Sequence, residues 1–264
     1  MRIAVLGGGV MGETLAVGFL RLDPRPDVVI VEKQPERADV LASTLGVPVL
    51  DLDDALAGAD VVVLVVKPQD TPALLARMGD AVEAGAVVIS IAAGIRTATI
   101  EASVPAGVSV VRAMPNTPAR IGQGVTGISA GSQCTPEALA LAQLLLESVG
   151  LVVTVPEDLQ DAVTAVSGSG PAYLFYLAEA MTAAGVELGL DLEVARQMVN
   201  RTLLGASMLL DTSGESAAEL RRRVTSPGGT TASAIATLGD RAVDESVVAA
   251  LTAARDRSRE LSGA

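Results

Sequence analysis

Met1-Arg-Ile-Ala-Val-Leu-Gly7-Gly-Gly-Val-Met-Gly12 opens the chain and decides its fold. The apolar run before Gly7 predicts a buried strand, and the periodicity after Gly9 predicts a helix. Between them the glycines have the spacing G-x-G-x-x-G, which is typical of the turn in dinucleotide-binding domains. Gly7 would make the tight turn, Gly9 would admit the pyrophosphate to the backbone, and Gly12 would let the helix pack closely on the strand.

An acidic residue follows the second predicted strand, where such domains bind a ribose. Glu32 lies twenty residues after Gly12, and its carboxylate would accept hydrogen bonds from a ribose 2′-hydroxyl, which favours NAD(H). The neighbouring Lys33 and Arg37 could instead meet the 2′-phosphate of NADP(H). A glycine-rich turn packed for structural reasons would explain the glycines but not Glu32. The sequence therefore predicts a site for NAD(H) or NADP(H) and leaves the choice open.

Residues 1–156 alternate short runs rich in Val and Ile with helical stretches. This is the pattern of a doubly wound, Rossmann-type α/β domain with a parallel sheet. Strands are predicted at 2–6, 28–31, 61–66, 86–91, 109–113, 126–130 and 151–155. Helices are predicted at 11–20, 36–45, 53–57, 71–78, 100–102 and 136–148.

After about residue 156 the strand signals end, and residues 157–264 are predicted to form an all-α domain. Helices are predicted at 159–188, with Gly and Pro residues at 168–171 able to break the first one, and at 192–212, 217–224, 230–238 and 241–261. About a hundred residues of such helix, with apolar faces and few aromatic side chains, often bury part of their surface against another subunit.

Three further loops follow predicted strands at the edge where a doubly wound sheet binds its ligand. They surround Lys67, Gly94 and Asn116. Lys67 is one of two lysines in the chain, and its alternative interpretation is an ordinary surface residue before a turn proline. With the glycines above, the predicted nucleotide contacts are Val10, Met11, Glu32, Lys33, Val65, Lys67, Pro68, Ala92, Ala93, Gly94, Met114, Pro115 and Asn116.

Composition narrows the class of protein. The chain has 264 residues, 50% of them hydrophobic, enough for one large or two ordinary globular domains. A net charge of −12 argues against binding nucleic acid, and no segment predicts a membrane span or a leader. The single cysteine, Cys134, excludes an internal disulfide and favours a reducing cytoplasm. No histidine is present to activate Cys134, and no metal site is predicted.

Residues 225–231 place four hydroxyl side chains and two glycines where a helical pattern starts. Glycine lets a ligand approach the backbone, and free N–H groups at a helix start suit a carboxylate or phosphate. The alternative is a helix N-cap after a Ser-Pro-Gly-Gly turn, which local grounds favour. The predicted nucleotide site at the other end of the chain shifts the balance towards the anion site. The arginines at 221–223 are interpreted as a solvated helix end or as partners of carboxylates.

Five motifs occur in one order along the chain: the glycine turn, Val66-Lys-Pro68, Met114-Pro-Asn-Thr-Pro118, Ser167-Gly-Ser-Gly-Pro-Ala172 and Val224-Thr-Ser-Pro-Gly-Gly-Thr-Thr231. Together they resemble pyrroline-5-carboxylate reductase, from about residue 2 to residue 261. The resemblance implies that 1–156 holds NAD(P)H and that 157–264 builds an intertwined homodimer, often within a ring of dimers. It also implies that 1-pyrroline-5-carboxylate, reduced to L-proline in the last step of proline synthesis, lies between the nicotinamide and the C-terminal loop, with both subunits contributing.

The resemblance assigns roles within that loop. The carboxylate of the substrate would be held by the Ser226 hydroxyl and by backbone N–H groups around Gly229 and Thr230, with Gly228 allowing close approach. The Thr231 hydroxyl, the predicted catalytic group, would bond the ring nitrogen. Because a neutral hydroxyl is a poor general acid, its first role is orientation and its second is proton relay. A protonated imine is already electrophilic, which fits a chain without histidine.

One position departs from the family pattern. Relatives often carry a neutral residue followed by Arg where this chain has Glu32-Lys33. This departure leaves the coenzyme preference open, but it does not affect the predicted fold. The family places segment 167–171 near the nicotinamide and the domain junction, so it is given a supporting role, although it also suits a plain helix break with Pro in the first turn.

Other functions fit the sequence less well. A β-hydroxyacid dehydrogenase needs a lysine in the helical domain, and both lysines, Lys33 and Lys67, precede residue 156. A reductase coupled to F420 or a metal would not explain residues 225–231. A non-catalytic NAD(P) sensor would not need that hydroxyl-rich loop, and a structural helical oligomer would leave the glycine turn and Glu32 unexplained.

Overall fold

A seven-stranded sheet lies at the centre of the first part of the chain. The computed structural model describes residues 1–262, so Gly263 and Ala264 of the predicted helical domain lie outside the described residues. The strands are β1 (Arg2–Leu6), β2 (Asp27–Val31), β3 (Val61–Leu64), β4 (Val87–Ser90), β5 (Ser109–Met114), β6 (Gly124–Ala130) and β7 (Gly150–Thr154). All seven predicted strands are confirmed, each within two residues of its predicted bounds.

The order of the strands creates a ligand-binding edge. The sheet runs β2-β1-β3-β4-β5-β6-β7, and its first five strands are parallel. The chain moves outward from β1 to β2 and then crosses to β3 on the other side of β1. Doubly wound sheets bind ligands at such a reversal, beyond the carboxyl ends of the strands. The register keeps those ends level, because Leu6 pairs with Leu64 and Leu64 with Ser90.

Strands β6 and β7 run opposite to the others. β6 is antiparallel to β5, with Met114 opposite Gly127, and β7 is parallel to β6. The link between β5 and β6 holds a 3₁₀ turn, Thr117–Ile121, and no crossover helix. Because a parallel connection needs about a dozen or more residues, usually with a helix, this short link returns the chain antiparallel. The predicted parallel sheet therefore holds for β1 to β5 and ends there.

Helices cover both faces of this sheet. They are α1 (Val10–Phe19), α2 (Pro35–Leu45), α3 (Leu52–Leu56), α4 (Thr71–Met78), α5 (Thr97–Glu101) and α6 (Pro136–Glu147). Alternate residues of β1 divide between two cores: Ile3 and Val5 pack with Phe19 of α1, while Ala4 and Leu6 pack on the opposite face. Burial of each large apolar side chain contributes about 1.5–3 kcal/mol, so these contacts hold α1 beside β1.

The rest of the chain is helical. It comprises α7 (Gln160–Val163), a π-helical turn (Thr164–Gly168), α8 (Gly170–Glu187), α9 (Leu192–Thr212), α10 (Ala217–Arg223), α11 (Thr230–Asp240) and α12 (Val243–Ser262). The break allowed at 168–171 is confirmed, since the π-helical turn ends and α8 begins there. Within residues 1–262, no helix has the length and apolar character needed to cross a membrane.

Contacts divide the chain into two compact units. The first comprises Met1–Ser169 together with residues 254–262, and the second is Gly170–Ala253. This division falls later than the change of composition at residue 156, because the segment around α7 is helical yet belongs with the sheet. Gln160 is fully buried, and its side-chain amide donates to the carbonyl of Gly127 at 3.2 Å and to Ser129 Oγ at 2.8 Å.

The second unit has almost no core of its own. Ala195 and Val199 are the buried residues within Gly170–Ala253, although α8 and α9 contact each other. Phe175 is 64% exposed and Tyr176 is 75% exposed. Further exposed apolar side chains of α8 and α9 are Leu174, Leu177, Met181, Val194, Met198, Leu204, Met208, Leu209 and Leu210. So little burial does not offset the conformational entropy of these helices, and we infer that another chain covers this surface.

We predict that Phe175→Asp dissociates the protein into smaller species and lowers its Tm, because the charge would enter an interface between chains. The matched control is Val40→Asp on α2, where the side chain is also exposed, at 48%, and where a surface change should cost within about 0.5 kcal/mol. Sedimentation velocity and thermal unfolding measure both effects. Equal behaviour of the two variants would contradict this interpretation of the helical surface.

Candidate active site

Each glycine of the turn after β1 is needed for a different reason. Gly7 has a φ of +121°, and a Cβ there would lie 2.5 Å from the carbonyl oxygen of Val65. A Cβ on Gly12 would overlap the carbonyl oxygen of Gly7, so the approach of α1 to the strand requires this glycine. A Cβ on Gly9 would meet no atom within 4 Å. Gly9 therefore borders open space, as a residue that admits a ligand must.

The first turn of α1 offers unpaired backbone donors beside that space. Gly9 is the N-cap and provides no side chain, while its carbonyl accepts from the amide of Glu13 at 2.9 Å. The amides of Val10 and Met11 have no partner within residues 1–262. Free amides at a helix N-terminus attract a pyrophosphate. The open cradle and these donors fit a dinucleotide.

Glu32 closes the turn from the end of β2. Its Oε2 accepts from the amide of Gly8 at 3.0 Å, and its Oε1 accepts from the amide of Gln34 at 2.9 Å. Carboxylate oxygens have lone pairs left for further donors such as ribose hydroxyls. Lys33 is exposed and has no partner within the described part of the chain. The two residues thus differ: the Glu32 carboxylate is hydrogen-bonded to the turn, whereas the Lys33 side chain is free to bind a ligand.

The remaining predicted contacts follow the same edge of the sheet. The amide of Val65 donates to the carbonyl of Leu6 at 2.9 Å, which joins the ends of β1 and β3. Lys67 is exposed before the turn that starts at Pro68. The loop after β4 contains Ala92, Ala93 and Gly94, and that after β5 contains Pro115. Parallel topology brings these loops together with the glycine turn.

Asn116 has a structural role that the sequence did not indicate. Its side-chain oxygen accepts from the amide of Val125 at 3.0 Å, and its nitrogen donates to the carbonyl and hydroxyl oxygens of Ser167 at 3.3 and 3.4 Å. The side chain of Asn116, 9% exposed, is thus used within the protein. Its carbonyl accepts from the amide of Ala119 at 3.2 Å, so the backbone amide is the donor that remains for a ligand. Segment 167–171, predicted to be supporting, meets the loop after β5 through Ser167.

Glu157 is a further residue that sequence reasoning missed. Its carboxylate accepts from the amide of Thr97 at 2.7 Å and from the Thr97 hydroxyl at 2.8 Å, and lies 3.5 Å from the guanidinium of the buried Arg112. These bonds fix the start of α5, directly after the Ala92–Gly94 loop. The partners are far apart in sequence, so no local signal could reveal them.

The loop before α11 is built around a turn. The amide of Gly229 donates to the carbonyl of Ser226 at 3.0 Å, and Gly228 has the positive φ, +67°, that the third residue of a type II turn requires. The Gly229 amide is therefore occupied within the turn and is not free to bind an anion, contrary to the prediction. The amides of Thr230 and Thr231, at the start of α11, have no partner within residues 1–262.

The hydroxyl groups of this loop divide into structural and free ones. Thr225 Oγ1 donates to the carbonyl of Arg221 at 2.6 Å, so Thr225 has a structural role. The hydroxyls of Ser226, Thr230 and Thr231 form no hydrogen bond with the described residues. These free hydroxyls flank the two free amides. The alternative interpretation is confirmed in its Ser-Pro-Gly-Gly turn and helix start, but the N-cap is Gly229 and not a Ser or Thr.

The arginines before this loop are paired. Arg222 donates to both carboxylate oxygens of Glu219, at 2.8 and 2.6 Å, and Arg223 bonds Glu219 and Glu215. The hydrogen bonds from Arg222 lower the pKa of Glu219. The interpretation of these arginines as partners of carboxylates is confirmed for Arg222 and Arg223. The cofactor residues lie in the first compact unit and residues 225–231 in the second.

The single cysteine of the chain, Cys134, is partly buried. Burial is the main cause that raises the pKa of the Cys134 thiol, and the charge of Glu101 adds to it. A raised pKa keeps the thiol protonated and unreactive. Among residues 1–262, no three His, Cys, Asp or Glu side chains form a group able to hold a metal ion.

Comparisons with known proteins match both parts of the chain. A family described as Pyrroline-5-carboxylate reductase dimerisation matches residues 157–261. A family described as NADP oxidoreductase coenzyme F420-dependent matches residues 2–94. The pyrroline-5-carboxylate reductase of Mycobacterium tuberculosis is 43% identical and is aligned over 98% of this chain and 96% of its own length. The chain belongs to the pyrroline-5-carboxylate reductase family.

Solved structures agree with this membership. A pyrroline-5-carboxylate reductase from Coxiella burnetii is 37% identical, with a TM-score of 0.92 and coverage of 99% of this chain and 98% of that one. The Plasmodium falciparum pyrroline carboxylate reductase, solved with NADP bound, has a TM-score of 0.86 over 99% and 98% of the two chains. At 24% identity this second likeness shows the fold. The reductase described here is an NAD(P)-dependent oxidoreductase that acts on an imine.

We predict that Gly9→Val leaves this reductase folded but weakens NADPH and NADH binding more than tenfold, because the side chain would fill the open space that a pyrophosphate needs. Gly12→Val is the matched control. It should lower the free energy of unfolding by about 1–3 kcal/mol or more, because its side chain collides with backbone. Urea unfolding and coenzyme fluorescence titration separate the two effects. Normal coenzyme affinity in a folded Gly9→Val protein would refute this placement.

Proposed function

We propose that the glycine turn holds NAD(P)H and that residues 226–231 bind the carboxylate and ring nitrogen of 1-pyrroline-5-carboxylate. The observation that carries this proposal is the group of free donors at the start of α11. The amides of Thr230 and Thr231, with the hydroxyls of Ser226 and Thr231, have no partner within residues 1–262. Such donors at the N-terminus of an eleven-residue helix suit a carboxylate.

The reaction does not need a strongly acidic side chain. NAD(P)H, when bound, supplies the hydride. In the protonated imine, a C–H bond forms at carbon while the C=N π electrons move to nitrogen, which keeps its proton and becomes the amine of L-proline. No side chain has to ionise in this step, which suits a chain without histidine. The contribution of the protein is to hold the ring in position.

Thr231 is the residue that we assign to the ring nitrogen. Its side chain is half-buried and its hydroxyl is free of bonds to the described residues. An N–H of the ring can donate to this hydroxyl oxygen, and the hydroxyl can pass on a proton as a second function. The amides of Thr230 and Thr231 and the Ser226 hydroxyl would bind the carboxylate, while Gly228 and Gly229 shape the turn.

We also propose that the active site is shared between protomers. The dimerisation family matches residues 157–261, and the second compact unit exposes wide apolar surfaces, which together support a homo-oligomer. In our proposal residues 1–156 form the nucleotide-binding domain and 157–264 the dimerisation and substrate domain. An intertwined dimer, assembled further into a ring of dimers, would bring groups of two chains to one substrate, in the cytoplasm.

We predict that the protein oxidises NADPH or NADH when given 1-pyrroline-5-carboxylate, and that Thr231→Val lowers kcat/KM about tenfold, the value of one hydrogen bond. Coenzyme affinity should stay near that of the unchanged protein. Thr231→Ser keeps the hydroxyl and should retain most activity. Stopped-flow absorbance over a range of substrate concentrations measures kcat/KM for all three proteins. No turnover with either coenzyme would refute the reaction, and an unchanged rate in Thr231→Val would remove Thr231 from it.

A mixed oligomer tests whether the site is shared. Gly9→Val and Thr231→Val chains, co-expressed with different affinity tags, give a heterodimer in which one cross-chain site has both parts intact. If sites are shared, this heterodimer should recover up to about half the activity of the unchanged dimer. If each site lies within one chain, both sites carry a substitution, and the activity should not exceed that of the Thr231→Val protein.

A further inference from the structure

The peptide groups of Gly8 are held from both sides. Its amide donates to Glu32 Oε2 at 3.0 Å, and its carbonyl accepts from Arg37 Nε at 2.8 Å. Gly8 is buried, and a Cβ there would collide with Leu41 and approach Glu32 within 2.9 Å. Glu32 and Arg37 therefore form a clasp on the middle of the glycine turn. We use the name Gly8 clasp for these three residues.

Arg37 has a second bond that keeps it in the clasp. Its terminal nitrogen lies 2.6 Å from Glu13 Oε2, and the two side chains are 28% and 32% exposed. A short, charge-assisted bond between partly buried groups is stronger than an ion pair in open solvent. Moving Arg37 towards a ligand would break this bond and free the carbonyl of Gly8. Arg37 is thus committed to α1 and the turn.

The carboxylate of Glu32 is equally fixed. Gln34 donates its amide to Oε1 at 2.9 Å while Gly8 donates to Oε2, so both oxygens are held at the end of β2. A 2′-hydroxyl would find an acceptor here, whereas a 2′-phosphate would place negative charge against negative charge. Lys33 is the cation of segment 32–37 that has no partner within residues 1–262.

We propose that this reductase selects NADH over NADPH, because Glu32 accepts the ribose 2′-hydroxyl and Arg37 holds the turn instead of binding a 2′-phosphate. This inference rests on the proposed placement of the coenzyme at the glycine turn. Arg37 is a positioning residue, since it acts through the carbonyl of Gly8. Glu32 is both a member of the clasp and the group that distinguishes the two coenzymes.

Binding measurements test this selection without turnover. Fluorescence titration of the purified oligomer with NADH and with NADPH should give a Kd at least about tenfold lower for NADH. Glu32→Gln removes the charge but keeps an acceptor for the amide of Gly8, and it should improve NADPH binding and narrow the ratio. The matched control is Glu36→Gln, the same change on an exposed side chain of α2, which should leave the ratio unchanged.

Arg37→Met separates positioning from phosphate binding. This variant keeps an unbranched apolar stem but loses both hydrogen bonds of the guanidinium. It should therefore raise the Kd for NADH and the Kd for NADPH by similar factors. A loss confined to NADPH would identify Arg37 as a phosphate ligand and overturn the proposal. Equal or tighter binding of NADPH by the unchanged protein would overturn it as well.

The outcomes distinguish this proposal from the reaction on which it rests. Selective NADH binding without reduction of 1-pyrroline-5-carboxylate would support the selection and refute the proposed reaction. Reduction of the substrate with a preference for NADPH would support the reaction and refute the selection. No binding of either coenzyme would refute both.

Discussion

The close approach of α1 to the end of β1 is the constraint on which the nucleotide-binding part depends. It is possible because Gly12 presents no side chain to the carbonyl of Gly7. This approach lets Phe19 reach the core shared with Ile3 and Val5, and it aims the first amides of α1 beyond the edge of the sheet. Packing and ligand binding therefore use the same contact. A helix moved outward by one methyl group would lose core burial and misdirect its donors together.

Patterns that are local in sequence predicted most of the fold. The apolar run at 61–66 and the glycine spacing after Leu6 each depend on a few consecutive residues, so periodicity and turn chemistry were enough. The direction of β6 depended on the length of its link to β5, which propensity does not encode. The hydrogen bond from the Thr97 amide to Glu157 joins residues sixty positions apart. No single segment of the sequence predicts such a bond.

The sequence predicted which residues make up the candidate site, but not which of their hydrogen-bonding groups are free. Residues 225–231 were identified by their hydroxyls and glycines, yet the turn uses the amide of Gly229 internally and leaves those of Thr230 and Thr231 free. The first amides of α1 are also free, and its N-cap is likewise a glycine, Gly9. By contrast, α6 and α10 begin with Thr135 and Ser216, whose side chains accept from the helix amides. Glycine N-caps leave such donors available to ligands.

The scarcity of buried residues in Gly170–Ala253 affects how sequence change acts on this protein. We infer that a copy of the same chain completes its apolar helix faces, so a single gene encodes both sides of the interface. A substitution on α8 or α9 enters the assembly once for every copy, and its effect on stability is multiplied accordingly. Two changes that would compensate each other on different proteins must here be encoded in one gene. Variation on these faces is therefore constrained by symmetry as well as by packing.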